Sequence, residues 1–166
     1  MAQKTLTLEE IANPALSSKN APILADLLGR GETFQTIFKI SQEDMEARYG
    51  EACHLLERER WDDAVPAFTF LVCLQPYDAR FWFGLGAAQT NVADYIGAIS
   101  TYTIAASMAP ENPYSYFHMA SSFLALSQKE DAVGCLEMAR DTARKDHTFR
   151  HLEDKCDALL KKLKHK

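Results

Sequence analysis

The chain has 166 residues, a formal net charge of −5 at neutral pH and an ordinary share of apolar side chains. A globular chain of this length forms one domain and buries roughly two-thirds of the surface that it exposes when unfolded. The acidic balance argues against a broad nucleic-acid-binding surface. No apolar run approaches the ~20 residues that span a bilayer, and the N-terminus lacks a basic-then-apolar signal. We therefore expect a cytoplasmic protein that neither binds nucleic acid nor inserts into a membrane.

The motifs of common enzymes and metal sites are absent from the sequence. There is no P-loop, no G-x-S-x-G and no H-E-x-x-H motif. His147 and His151 lie four residues apart, but no carboxylate or thiol stands at a matching place, so we interpret them as a surface pair. Four dispersed cysteines, with no C-x-x-C pair, predict reduced thiols: Cys53, Cys73, Cys135 and Cys156. We expect no enzymatic activity, no metal and no cofactor.

The amino-terminal part of the chain has two segments of different character. Residues 1–20 are polar, and a capping box at Thr7 and Glu10 is followed at once by the helix-stopping Asn13 and Pro14, which predicts a flexible arm. Residues 21–44 predict a helical segment rich in apolar side chains: Ile23, Leu24, Leu27, Leu28, Phe34, Ile37, Phe38 and Ile40. This segment is either a cap packed on the rest of the chain or a surface for homodimerisation. Its apolar content exceeds what a short cap needs, which favours a homodimer that uses this segment or the first repeat.

A period of 34 residues organises the rest of the chain. Small and bulky side chains recur at this interval in three sets, which are Ala52, Gly86 and Ala120; Ala64, Ala98 and Ala132; and Phe68, Tyr102 and Leu136. This is the spacing of the tetratricopeptide repeat (TPR), a helix–turn–helix unit. The chain supplies three units, over residues 45–78, 79–112 and 113–146, and about three must stack before such an array is stable. Residues 147–166 predict a final helix that caps the stack.

Capping residues and stops predict where each helix begins and ends. The predicted helices run near residues 45–58, 61–74, 79–91, 95–108, 113–126 and 129–142. The predicted N-terminal caps are Ser41, Asp78, Asp94, Asn112 before Pro113, and Ser127 in a capping box with Glu130. Asp146 or Thr148 opens the last helix, which runs to about Leu163. The expected fold is an all-α TPR superhelix of three helix pairs, with an N-terminal helical segment and a C-terminal capping helix.

The first helices of successive TPR units line a concave groove, and one stripe on each helix faces it. At positions 2, 5, 9 and 12 of the three units, this groove stripe contains Glu46, Tyr49, Cys53 and Leu56; Arg80, Phe83, Ala87 and Thr90; and Tyr114, Phe117, Ser121 and Leu124. Position 5 is aromatic and position 9 is small in every unit. The pattern predicts shallow pockets for apolar side chains of an extended peptide.

An alternative is that the aromatic rings only pack between repeats. Against this, other residues already fill the predicted core, so the rings are surplus to the stack. The stripe also lacks the Lys, Arg and Asn side chains with which co-chaperone repeats clasp an acidic C-terminus. Arg80 is its only basic residue.

The run from Cys73 to Ala87 reads CLQPYDARFWFGLGA. It closely resembles the join between the first and second repeats of the class II, low-calcium-response chaperones of bacterial type III secretion, and the resemblance extends over residues 29–143. It implies a cytoplasmic chaperone that holds hydrophobic translocator proteins through an extended segment in the groove before export. Tyr49 and Cys53 match positions where the family places groove residues, and an aromatic often stands in place of Cys53. The rival interpretation is a generic TPR scaffold that joins two folded proteins.

Overall fold

The computed structural model describes residue 22 and residues 25–164, and this part of the chain is helical without any strand. After a helical stretch at residues 25–29, the helices are α1 (Phe34–Ile37), α2 (Gln42–Glu57), α3 (Trp61–Leu74), α4 (Ala79–Asn91), α5 (Tyr95–Met108), α6 (Pro113–Ala125), α7 (Lys129–Ala143), a 3-10 turn (His147–Phe149) and α8 (Arg150–Lys164). The predicted arm, its capping box, Ile23 and Leu24 lie outside the described residues. The all-α repeat fold is confirmed. Among the described helices, none is both long and apolar enough to cross a membrane.

Three helix pairs, α2–α3, α4–α5 and α6–α7, stack in chain order, and α8 packs on α7. The first helices of neighbouring pairs also touch, since α4 contacts both α2 and α6. This is how TPR units share their apolar faces, because no single pair can bury its own. The stack therefore places α2, α4 and α6 side by side.

The residues that recur every 34 positions form the contacts between helices. Ala52, Ala64, Ala98, Ala120 and Ala132 are all fully buried, and so are the bulky Phe68 and Tyr102, while Leu136 is 1% exposed. Two glycines of α4 let bulky rings approach closely, Gly84 beside Phe68 and Gly86 beside Tyr102. Side chains interdigitate here at the density of a protein interior.

Polar caps begin most helices where the sequence predicts them. The Ser41 hydroxyl accepts a hydrogen bond from the Asp44 amide at 3.0 Å, and the Asp94 carboxylate accepts one from the Gly97 amide at 3.0 Å. Ser127 is an exception. Its φ is 61°, and α7 is instead preceded by Gln128, which makes no side-chain cap. The predicted capping box of Ser127 and Glu130 is therefore wrong, because Ser127 is used to turn the chain.

The same left-handed turn recurs between the two helices of every pair. Glu59, Ala93 and Ser127 have φ values of 58°, 61° and 61°, and they are 34 residues apart. Non-glycine residues adopt this conformation at a cost of about 1–2 kcal/mol. The fixed turn geometry overrides the local preference of serine for a cap.

Part of the segment before the repeats packs as a cap. Ile37 is buried, and Phe34, Phe38 and Ile40 rest partly against the core of the first repeats. The Gln75 amide donates a hydrogen bond to the Gln35 side-chain oxygen at 3.1 Å, which ties α1 to the end of α3. Capping thus accounts for much of the apolar content of this segment.

A methyl group at Gly84 tests the close approach of α3 and α4. The added Cβ would overlap the fully buried Phe68 ring. Overpacking costs about 1–3 kcal/mol, and the better helix propensity of alanine returns about 1 kcal/mol. We expect Gly84→Ala to lower the free energy of unfolding in urea, whereas Gly134→Ala, in open space on α7, leaves it unchanged or raises it. Equal effects of the two substitutions would contradict the proposed packing.

Candidate functional site

The groove stripe predicted from the sequence lies on α2, α4 and α6, the three helices that stand side by side. Arg80 and Glu46 are exposed, and the other stripe side chains are half-buried. Half-burial means that each ring has one side against the protein and another side toward solvent.

In the first unit, the Tyr49 ring contacts two core rings. Its centre lies 5.5 Å from that of Phe81 and 6.2 Å from that of Phe68. Burial raises the pKa of Tyr49 to about 12. Cys53 and Leu56 pack beside it against the same core. Tyr49 is therefore a neutral phenol whose ring rests on the core.

An ion cluster joins the first two units across the groove stripe. The Arg80 guanidinium contacts Glu46 at 2.7 Å and Asp78 at 2.6 Å, and its carbon lies 5.0 Å from the centre of the Tyr49 ring. These contacts raise the pKa of Arg80. They also lower the pKa of Glu46 and, against the effect of burial, that of Asp78. The cluster holds Arg80 over the Tyr49 ring, with its charge matched by two carboxylates.

A cleft of about 170 Å³ brings predicted residues of two units together. Tyr49, Arg80 and Phe83 line it, with Ala105, Ala109, Asn112 and Ser115 from the following helices. Most of these groups are apolar or aromatic. The cleft has the size of a single side chain rather than that of a drug-like ligand.

The second and third units meet around His118. The centre of its ring lies 5.6 Å from those of Phe83 and Phe117, 5.7 Å from that of Tyr102 and 6.4 Å from that of Tyr114. Phe83 also contacts the fully buried Tyr102, with 5.6 Å between ring centres. Burial lowers the pKa of His118. The aromatic groove residues here share one neutral imidazole as their neighbour.

The remaining stripe residues of α4 and α6 are half-buried and carry short or aliphatic side chains. The Thr90 hydroxyl donates to the Gly86 carbonyl at 2.8 Å, and that of Ser121 donates to the Phe117 carbonyl at 3.2 Å. Both hydroxyls are thus satisfied within their own helices. Ala87 and Leu124 are half-buried.

At the far end, Tyr114 is engaged by the C-terminal helix. Its hydroxyl forms a hydrogen bond with His151 Nε2 at 3.0 Å, and its ring contacts Phe149, with 5.8 Å between ring centres. His147 and His151 are both exposed, as the surface-pair interpretation expects. In the described chain, no group of three or more metal-ligating side chains comes together.

Two features of the site differ from expectation or escaped it. The rings at position 5 are not surplus to the stack, because Tyr49 and Phe83 touch core rings and so contribute to stacking as well. His118 was not predicted, since it stands at position 6, outside the stripe. Its spacing from Phe117 and Tyr114 along one helix was the available signal, but helical spacing alone does not show that Phe83 and Tyr102 complete the cluster.

The buried imidazole predicts a pH dependence of stability. Because burial lowers the pKa of folded His118 below the ordinary 6.5, the unfolded chain takes up a proton before the folded chain does. Stability is full above about pH 6.5 and is lost as the pH falls through the folded pKa. We expect His118→Gln to flatten this dependence in chemical denaturation, whereas His54→Gln, at an exposed histidine, retains it. An unchanged slope in His118→Gln would contradict the burial of a neutral imidazole.

The chain is similar to several proteins of known structure or function. No protein-family model matches the chain. The low calcium response locus protein H of Yersinia pestis is 28% identical over 141 residues, which are 85% of this chain and 84% of that protein. PcrH of Pseudomonas aeruginosa, solved in complex with the chaperone binding region of PopB, is 30% identical with a TM-score of 0.71, over 73% of this chain and 98% of that one.

A third similar protein is SycD, the type III secretion translocator chaperone of Yersinia enterocolitica, in a structure described as an alternative dimer. It is 29% identical with a TM-score of 0.72, over 75% of this chain and 95% of that one. All three likenesses span most of the chain. The resemblance that residues 73–87 suggested is confirmed, and the chain belongs to the class II, low-calcium-response family of type III secretion chaperones.

Proposed function

We propose that this chain is a cytoplasmic chaperone that binds an extended apolar segment of a type III secretion translocator protein in the groove of α2, α4 and α6. Binding keeps the hydrophobic translocator soluble and competent for export. The observation that carries the proposal is the repetition of an aromatic ring beside a small residue on three adjacent helices. PcrH, a relative with the same fold, was solved with a translocator segment, which supports the assignment.

The spacing of the helices favours an extended client. Packed helix axes lie 8–10 Å apart, and an extended chain advances about 3.3 Å per residue. Pockets on neighbouring helices are therefore about three residues apart along the client. A segment with an apolar side chain at roughly every third residue would fill them in turn, which a folded surface could do only by chance.

The composition of the groove favours apolar side chains. Helix α6 contains no Asp, Glu, Lys or Arg, and its His118 is neutral. The charge of Arg80 is matched by Glu46 and Asp78. Each well-filled pocket would contribute about 1.5–3 kcal/mol from apolar burial. The peptide loses conformational and translational freedom when it binds, and this entropic cost cancels much of the favourable free energy. The affinity of a short peptide is therefore on the order of micromolar.

Truncation of the groove rings tests the proposal. We expect Phe83→Ala or Phe117→Ala to weaken binding of the PopB chaperone-binding region by roughly tenfold or more. Binding would be measured by isothermal titration calorimetry at low and physiological salt, which should give similar affinities because the attraction is apolar. Phe70→Ala is the matched control, since Phe70 is 41% exposed on α3, outside the groove stripe.

The rings also touch the core, so folding must be measured beside binding. Helicity and the urea midpoint of each variant give the folded fraction under the conditions of the titration. The proposal holds if affinity per folded molecule falls in the groove variants and not in Phe70→Ala. If binding follows only the folded fraction, the rings serve stacking alone.

We further propose that the chaperone forms a homodimer through the segment before the repeats. Among its described residues, most apolar side chains pack inward, but Leu28 is 40% exposed beside the half-buried Leu27. The description of SycD as a dimer supports self-association in the family. A two-fold interface centred on Leu28 would bury its exposed apolar surface.

Light scattering distinguishes this interface from other exposed apolar positions. At tens of micromolar, we expect the unmodified chain to be a dimer and Leu28→Glu to shift it toward the monomer, since a buried carboxylate without a partner is costly. Ile96→Glu, at a position 71% exposed on α5, should leave the dimer intact. A monomeric unmodified chain, or equal loss in both variants, would contradict the assignment.

A further inference from the structure

The C-terminal helix begins in register with the first helices of the repeats. Asp78, Asn112 and Asp146 are 34 residues apart, and each side chain accepts a hydrogen bond from the backbone amide two residues later, at 2.9, 3.0 and 2.9 Å. The 3-10 turn and α8 therefore stand where the first helix of a fourth unit would begin.

The packing of α8 agrees with this register. Leu152, Cys156 and Leu160 are buried against the preceding pair. Asp154, the counterpart of the small residues Ala52, Gly86 and Ala120, is exposed. In a complete unit this position contacts the second helix of its own pair, and the described chain has no such helix after α8. Helix α8 thus has the apolar face that packs on the preceding pair. It lacks the small residue against which a further helix would pack.

The groove stripe continues onto α8 with different chemistry. Positions 2, 5, 9 and 12 of the fourth unit are Thr148, His151, Lys155 and Ala158, and all four are exposed. The hydrogen bond between Tyr114 and His151 shows that this stripe meets the stripe of α6. An imidazole and an ammonium group therefore stand where the first three units have an aromatic ring and a small residue.

The carboxylates of α8 are directed away from this stripe. Glu153 pairs with Arg144 at 2.6 Å, and Asp157 lies 3.7 Å from Arg140 and 3.5 Å from Arg144. Asp154 lines a separate cleft with His147 and Arg150. Among the ion pairs of the described residues, none involves Lys155. Because Arg80 is matched by two carboxylates, Lys155 supplies the unmatched positive charge of the extended stripe.

We propose that Lys155 is a specificity-determining residue that binds an acidic side chain of the client, next to the client's apolar segment. The inference rests on the proposed function, because it extends the same groove by one helix. By the spacing of packed helices, the Asp or Glu would lie about three residues beyond the client side chain at Phe117. The apolar pockets supply affinity, and Lys155 sets the register and direction of the bound segment.

A charge scan of a defined peptide tests this subsite. The probe is the chaperone-binding region of PopB, with each residue replaced in turn by Glu and, in a second set, by Lys. Fluorescence polarisation gives the ratio of the two dissociation constants at every position. We expect one position near one end where Glu binds roughly threefold or more tightly than Lys, as an exposed ion pair allows. The preference should shrink as salt is raised.

Two variants of the chaperone identify the cation. Lys155→Glu should reverse the Glu-over-Lys preference at that position, whereas Lys161→Glu should preserve it. Lys161 is an equally exposed lysine on α8, about a quarter-turn from the stripe. Both changes lie on the surface, so thermal melting should be little altered.

The outcomes separate this inference from the function on which it rests. If the unmodified peptide binds all three proteins but no position shows a preference that depends on Lys155, the subsite is wrong and the groove assignment stands. The same result follows if Lys161→Glu has an equal effect. If the unmodified peptide does not bind the unmodified chain at all, both proposals fall.

Discussion

The close approach of helices at a small residue is the contact on which the rest of the structure depends. Gly84 lies against Phe68 and Gly86 against Tyr102, and neither site has room for a further carbon atom. The small residue at the position of Gly86 recurs in every unit, as Ala52 and Ala120, so the two helices of each pair pack in the same way. The three first helices then lie side by side, and residues at equivalent positions line one surface. The surface that we propose as the groove is thus a consequence of regular packing, and no separate element has to build it.

The aromatic residues at position 5 serve the stack and the groove together. Tyr49 and Phe83 rest on the core with one side and line the cleft with another, so the pockets have rigid walls. Rigid rings lose little conformational entropy when a peptide arrives, which favours binding by a preformed surface. The stripe of the first three units also carries little unmatched charge. Arg80 has two carboxylate partners, and His118 stays neutral.

Periodicity made most of the fold predictable from the sequence. The predicted helix near residues 61–74 is present as α3 although Pro66 stands inside it, because tertiary packing overrides a local cost of about 3 kcal/mol. Ser127 is not a cap, because the turn shared by all pairs requires its left-handed conformation and overrides its local preference. The stripe residues follow from helical spacing, but the pairing of Arg80 with Glu46 and the ring cluster around His118 depend on how helices meet in space. That information is not local in the sequence.

The central claim is that an apolar client segment lies in the groove of the first helices. The most direct measurement is methyl NMR of the chaperone with ¹³C-labelled alanine, bound to the unlabelled chaperone-binding region of PopB. Ala87 stands in the groove stripe, and Ala67 is also a half-buried alanine, on the second helix of a pair. Our account predicts intermolecular nuclear Overhauser effects from peptide side chains to the Ala87 methyl and none to that of Ala67. Contacts at Ala67 with an unperturbed Ala87 would contradict it.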